Sequence, residues 1–183
     1  MDWKLALPSL VLVAACTSLQ SPVSAVDVPE KLRASANESL AMVVHAQGAQ
    51  IYECRAAKAR AGAYEWVFVA PEAELFDANG AKIGQHFAGP SWASTDGSTI
   101  VGTVKERYDA PVADAIPWLL LATKSVGRQG SFSGITAVQR VNTVGGAAPN
   151  VGCSQAEVGT GARMPYTADY YLLEERNYYR AAY

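Results

Sequence analysis

The sequence predicts an all-β domain, an antiparallel two-sheet sandwich or flattened barrel held by one disulfide. Three observations predict it. From about residue 39 onward, aliphatic, β-branched and aromatic runs recur at short intervals, punctuated by Gly, Pro, Asn and Asp. Two dipeptides, Asn79-Gly80 and Asp96-Gly97, stand between such runs, and both tolerate the positive φ that tight hairpins demand. Half of the 183 residues are hydrophobic and only 17% are charged, enough apolar surface for one packed core.

The chain opens with a targeting segment. Lys4 supplies a thin positive start, and Leu5 to Ala15 is an apolar run broken only by Pro8 and Ser9. That run is too short to span a bilayer permanently. Two exits fit. Val23-Ser24-Ala25 has the small residues of a signal-peptidase site, and Val13-Ala14-Ala15-Cys16 resembles a bacterial lipobox, whose cysteine is lipidated. Either way the protein is expected to be exported, as a secreted protein or as a periplasmic or outer-membrane lipoprotein anchored at Cys16. The expected organisation is a leader and tether over 1–25, one β domain over 26–176 and a tail over 177–183.

Within the domain, Leu40 to Val44 and Ala49 to Cys54 read as two strands flanking a Gln47-Gly48 turn. The second run alternates, with Ile51 and Glu53 on one face and Gln50, Tyr52 and Cys54 on the other. Residues 56–62 form an exposed loop, and Tyr64 to Val69 a strand whose continuation Pro71 limits. The Asn-Gly and Asp-Gly turns then give two successive hairpins through Val104. Ile116 to Ala122 is apolar on both parities, as in a strand covered on two sides or a buried helix. Ile135 to Thr143 alternates imperfectly, a Gly-rich loop covers 145–161, and Tyr166 to Leu173 is the last strand. About nine strands are expected.

Set in order, "GAQIYEC", "APEAELFDANGAKIGQHFAGPSW", "DGSTIVG", "IPWLLLA", "QRVNTVGGAAP" and "YTADYYL" closely resemble a family of exported bacterial and fungal proteins known only as domain of unknown function 3455. The resemblance runs from about Val28 to Leu173. It implies an extracytoplasmic location and a Cys54–Cys153 pair, and it implies no activity. Cysteine arithmetic agrees: with Cys16 lipidated or removed, an even pair remains, and in an oxidising compartment such a pair forms a disulfide.

Composition excludes several functions. Net charge is −2 with no Lys/Arg block, so there is no footprint for nucleic acid. There is no GxGxxG fingerprint, no GxSxG elbow and no CxxC, which argues against a dinucleotide cofactor, a serine-hydrolase elbow and zinc. No metal and no cofactor is expected. The chemistry-bearing candidates are few. His86, Trp92 and Asp96 are read either as a corner built around Gly89-Pro90 or as one mouth, with an imidazole for proton transfer and an indole face for a sugar or apolar ligand. Arg140 and Asn142 share a parity with Val138, so both are expected on one face, with Asp169 as the structural partner of Arg140 or with the pair acting as an anion clamp beside Gly145-Gly146. His45, Trp66 and Trp118 are read as structural. The leading function is a non-enzymatic binding or envelope-associated module with a polar-aromatic pocket of His86, Trp92, Asp96, Arg140 and Asn142, taking a small molecule or carbohydrate. One alternative is a hydrolase or lyase using His86 as general base, oriented by Asp96 or Asp169. Another is a purely structural surface protein.

Overall fold

A computed structural model describes residues 27–176. The expected leader, the lipidation site at Cys16 and the tail from residue 177 lie outside the described residues. The described chain forms one closed antiparallel barrel in which every strand pairs with its neighbours in sequence and the first pairs with the last. The strands are β1 (Glu38–Ala56), β2 (Tyr64–Phe76), β3 (Lys82–Phe87), β4 (Ser91–Ser94), β5 (Thr99–Tyr108), β6 (Trp118–Ser125), β7 (Ile135–Gly145) and β8 (Gly161–Glu175). Of the two shapes expected, the barrel is the one adopted. Closure leaves no open sheet edge along most of the wall, which is how all-β chains avoid edge-to-edge association.

The strand count falls from about nine to eight because the expected Gln47-Gly48 turn does not exist. Residues 38–56 are one strand, with Gly48 opposite Ala73 of β2 and Tyr166 of β8. Its glycine serves close approach instead: a Cβ there would sit 2.1 Å from the Glu72 carbonyl oxygen. The two hairpins form where the dipeptides predicted them. Asp77 Oδ1 accepts from the backbone N–H groups of Asn79 and Ala81, and Gly80 and Gly97 have φ of 79° and 88°. Pro71 does not end β2. It lies two residues beyond a bulge at Val69, in the stretch of β2 that β3 does not reach, where a missing N–H is tolerated.

Inward-facing side chains fill one end of the barrel. Val44, Leu75, Ile100, Leu121, Val138 and Leu172 pack there, and Phe132 closes that end from the β6–β7 loop. The outer wall carries ion pairs such as Arg163–Glu72 (2.6 Å) and Lys82–Glu74. A second, smaller cluster lies outside the barrel, where the short helical turn at Glu30–Leu32 seats Leu32 against Trp118, Val141 and Tyr171. Gln139 Nε2 donates to the Leu32 carbonyl at 2.6 Å, tying this strap to β7.

Candidate functional site

The opposite end of the barrel is hollow. The β1–β2, β3–β4, β5–β6 and β7–β8 connections surround its mouth, and the cavity beneath has a volume of about 650 Å³. It falls in the ~300–1,000 Å³ range of small-molecule sites. The disulfide sits on this rim. Cys54 at the end of β1 bonds Cys153 in the β7–β8 loop, with Cα atoms 6.0 Å apart, so the pairing the sequence implied is present. The same loop is held by the Trp66 indole, which donates to the Val151 carbonyl at 3.1 Å.

The stretch around Gly89-Pro90 builds the cavity floor. The corner turns β3 into β4 and sets His86 opposite Trp92. Their rings stack at 4.5 Å with planes 14° apart, and Tyr170 from β8 meets both edge-on. His86 Nδ1 donates to the Ser91 carbonyl at 2.9 Å. Burial holds its pKa down at about 3, with the Ser91 bond opposing and the Arg140 charge reinforcing the shift. The imidazole is therefore neutral at physiological pH. Trp92 is buried, and with His86 it lines the hollow.

Arg140 reaches the same cavity from β7. Its Nε and Nη2 both donate to the Pro117 carbonyl, at 3.0 and 2.8 Å. No carboxylate pairs with it among the described residues, and none lines the cavity. Its charge is felt by every polar ring nearby. Burial raises the pKa of Tyr52, Tyr166 and Tyr170, and Arg140 opposes the rise in each. Tyr52 and Tyr170 line the cavity with it, alongside Gln50, and Tyr52 donates to the Gly146 carbonyl at 2.7 Å.

Three expected members of the site are elsewhere. Asn142 does not share a face with Arg140. A bulge between Val141 and Val144 inserts a residue into β7, Asn142 takes φ 50° there, and its side chain turns outward. Asp169 is not the partner of Arg140. It faces outward on β8, accepting from Asn142 Nδ2 at 2.8 Å and from His45 Nδ1 at 2.6 Å. His45, expected in an apolar strand, is thus exposed and paired on the outer wall. Asp96 is at the packed end of the barrel, away from His86. It accepts from Ser98 N and Oγ at 2.9 and 2.6 Å and from Ser131 N at 2.7 Å, and the Ser131 N–H leads in pulling its pKa far below the carboxylate range. These bonds anchor the loop that carries Phe132. His86 therefore has no acid to orient it.

Sequence reasoning missed Gln50, Tyr52, Trp66 and Phe68 as lining residues. The alternation of β1 placed Gln50 and Tyr52 on one face, and the unanswered question was whether that face met core or cavity. Trp66, expected to be structural because its neighbours are apolar, sits half-buried at the mouth. No three His, Cys, Asp or Glu side chains converge as metal ligands among the described residues.

Fold and site together define a class: a small up-and-down β barrel, packed at one end and open to an aromatic cavity at the other. Over residues 34–174 the chain matches the family described as "Protein of unknown function (DUF3455)", and it belongs to that family. No curated protein and no solved structure matches it.

Proposed function

We propose that this protein is an exported, non-enzymatic carrier or sensor barrel that takes a small, largely apolar molecule through its open end. The observation that carries the reading is the cavity itself, which keeps aromatic walls and two arginines but no acidic group, above a half-barrel packed solid. A purely structural barrel of this size gains nothing from leaving such a volume unfilled, since voids forfeit packing energy. Binding is favoured over hydrolase or lyase chemistry by His86. Its Nδ1 is spent on a backbone carbonyl and its flanks are covered by aromatic rings, so it lacks the acid–base partner a general base needs. Export is supported by the leader-like start of the sequence and by the disulfide, which oxidising compartments maintain. Envelope anchoring rests on the lipobox-like run before Cys16.

The test is a thermal-shift screen of the purified protein against fatty acids, aryl acids, sugars and neutral apolar compounds. A ligand at a hundred times its Kd adds about 2.7 kcal/mol. In a domain of this size that raises Tm by roughly 5–10 °C. A flat response across the panel overturns the reading. Intact-mass analysis settles the anchor: an acylated chain beginning at Cys16 supports it, and a chain beginning at Val26 removes it.

A further inference from the structure

The polarity of the cavity is graded along its depth. The outer part has an apolar wall of half-exposed Phe68 and Val69 of β2 and Val104 of β5, together with the exposed Arg107 of β5. The inner part holds buried polar groups: Gln50 and His86 are each 2% exposed and Tyr170 is 1% exposed. The cation, Arg140, sits among this inner group. A largely apolar entrance above a half-buried cation suits an amphiphile better than a sugar.

The donors left over are specific. A guanidinium carries five N–H bonds. Arg140 turns its Nε–Nη2 side toward one carbonyl, that of Pro117, and the Tyr170 hydroxyl is its side-chain neighbour, so no carboxylate among the described residues engages its outer Nη1–Nη2 fork. That fork matches the two oxygens of a carboxylate. Gln50 adds a second, independent sign. Its amide lies beside the Tyr166 phenol, which also feels Arg140, yet its Nε2 is buried with no hydrogen-bond partner among the described residues. A buried amide N–H without an acceptor costs free energy that a bound anion recovers. Nothing acidic lines the wall to compete for either donor.

We infer that the cavity binds an apolar monocarboxylic acid head-first, its carboxylate on the Arg140 fork and Gln50 Nε2 and its hydrocarbon or aryl tail against Phe68, Val69 and Val104 at the mouth. This rests on the binding reading above and names the ligand class for the same cavity. His86 and Trp92 form the floor under the head group. The neutral imidazole adds no charge, so the cations available to the ligand are Arg140, which takes the head group, and Arg107 of β5.

The experiment is calorimetric titration of the purified protein at neutral pH with two matched pairs: decanoate against decanol, and naphthoate against naphthamide. The acids are expected to bind about 10–100-fold more tightly than their neutral partners, the range for hydrogen bonds to a charged group. Arg140→Met should bring each acid down to its neutral partner and leave the neutral compound unchanged, with Arg140→Lys between the two. Gln50→Leu should weaken the acids by about fivefold and spare the neutral compounds. If loss of the Pro117 contact unfolds the Arg140 variants, the wild-type pairs and Gln50→Leu still decide. Equal affinity for acid and neutral partner overturns the head-group assignment and leaves the cavity reading standing. An acid preference that persists in a folded Arg140→Met protein overturns the role of Arg140. If none of the four compounds binds the wild-type protein, both readings fall.

Discussion

His86 should make the stability of this protein fall with acid, by an amount its burial sets. The imidazole is 2% exposed, stacked on Trp92, and folded around its neutral form with a pKa of about 3. In the unfolded chain it titrates near 6.5. Between those values the unfolded state binds a proton that the native state refuses, so stability is full above pH 6.5 and declines as pH falls toward 3. The slope approaches 1.4 kcal/mol per pH unit, which amounts to a loss of about 2 kcal/mol between pH 7.5 and pH 5. For a domain of this size that lowers Tm by roughly 4–8 °C. The assay is urea denaturation followed by tryptophan fluorescence across that window, on wild type, His86→Phe and His45→Gln. The chain has only two histidines, and carboxylates titrate below this range, so the three proteins assign the slope. His86→Phe should lose about 1 kcal/mol at neutral pH, because the Ser91 carbonyl loses its donor, and should lose the decline of about 2 kcal/mol that the buried imidazole imposes between pH 7.5 and 5. His45→Gln, which removes the other histidine, should still lose stability as pH falls from 7.5 to 5. An unchanged slope in His86→Phe would refute the buried neutral imidazole.

Three other perturbations bear on the architecture. Removing the disulfide with Cys54→Ser and Cys153→Ser opens a loop of 99 residues, which the chain-entropy account values at roughly 4–5 kcal/mol, and an unaltered denaturation midpoint would count against it. Gly102→Ala places a methyl 2.9 Å from Trp92 Cζ3 and 3.1 Å from Leu121 Cδ2, an overpacking that should cost about 1–3 kcal/mol and tilt the cavity floor; wild-type stability in calorimetry would show that the floor yields freely. Asp96→Ala removes the acceptor for Ser98 and Ser131 at the packed end, so Tm should fall while ligand affinity at the mouth holds, and a selective loss of affinity would mean the two ends are coupled.

Much of the site was legible where local chemistry fixed it. His86 and Trp92 flank a Gly-Pro corner, and a corner of that kind places the residues on either side of it opposite one another in adjacent strands. The fate of Asp96 was not legible. The same Asp-Gly turn that marked it also put it at the other end of β4, and the length of β4, four residues, is a property of the barrel. Asn142 shows a different failure. Alternation assigns faces only while pairing is regular, and one inserted residue reversed the assignment for everything beyond Val141. The asparagine, which tolerates left-handed backbone better than most residues, is the one hint the sequence carried.

By itself the sequence determined the all-β class, both hairpins, the two cysteines that pair and the shared face of Gln50, Tyr52 and Cys54. Each follows from the conformational preference of a residue or from spacing along one strand, and neither depends on what lies across the sheet. Only the tertiary structure decided that residues 38–56 run as one strand, that Arg140 and Asp169 face opposite sides of the wall, and that the Arg140 face meets a hollow rather than a core. Those outcomes depend on which strands close on which, and on whether the volume so enclosed exceeds the side chains available to fill it.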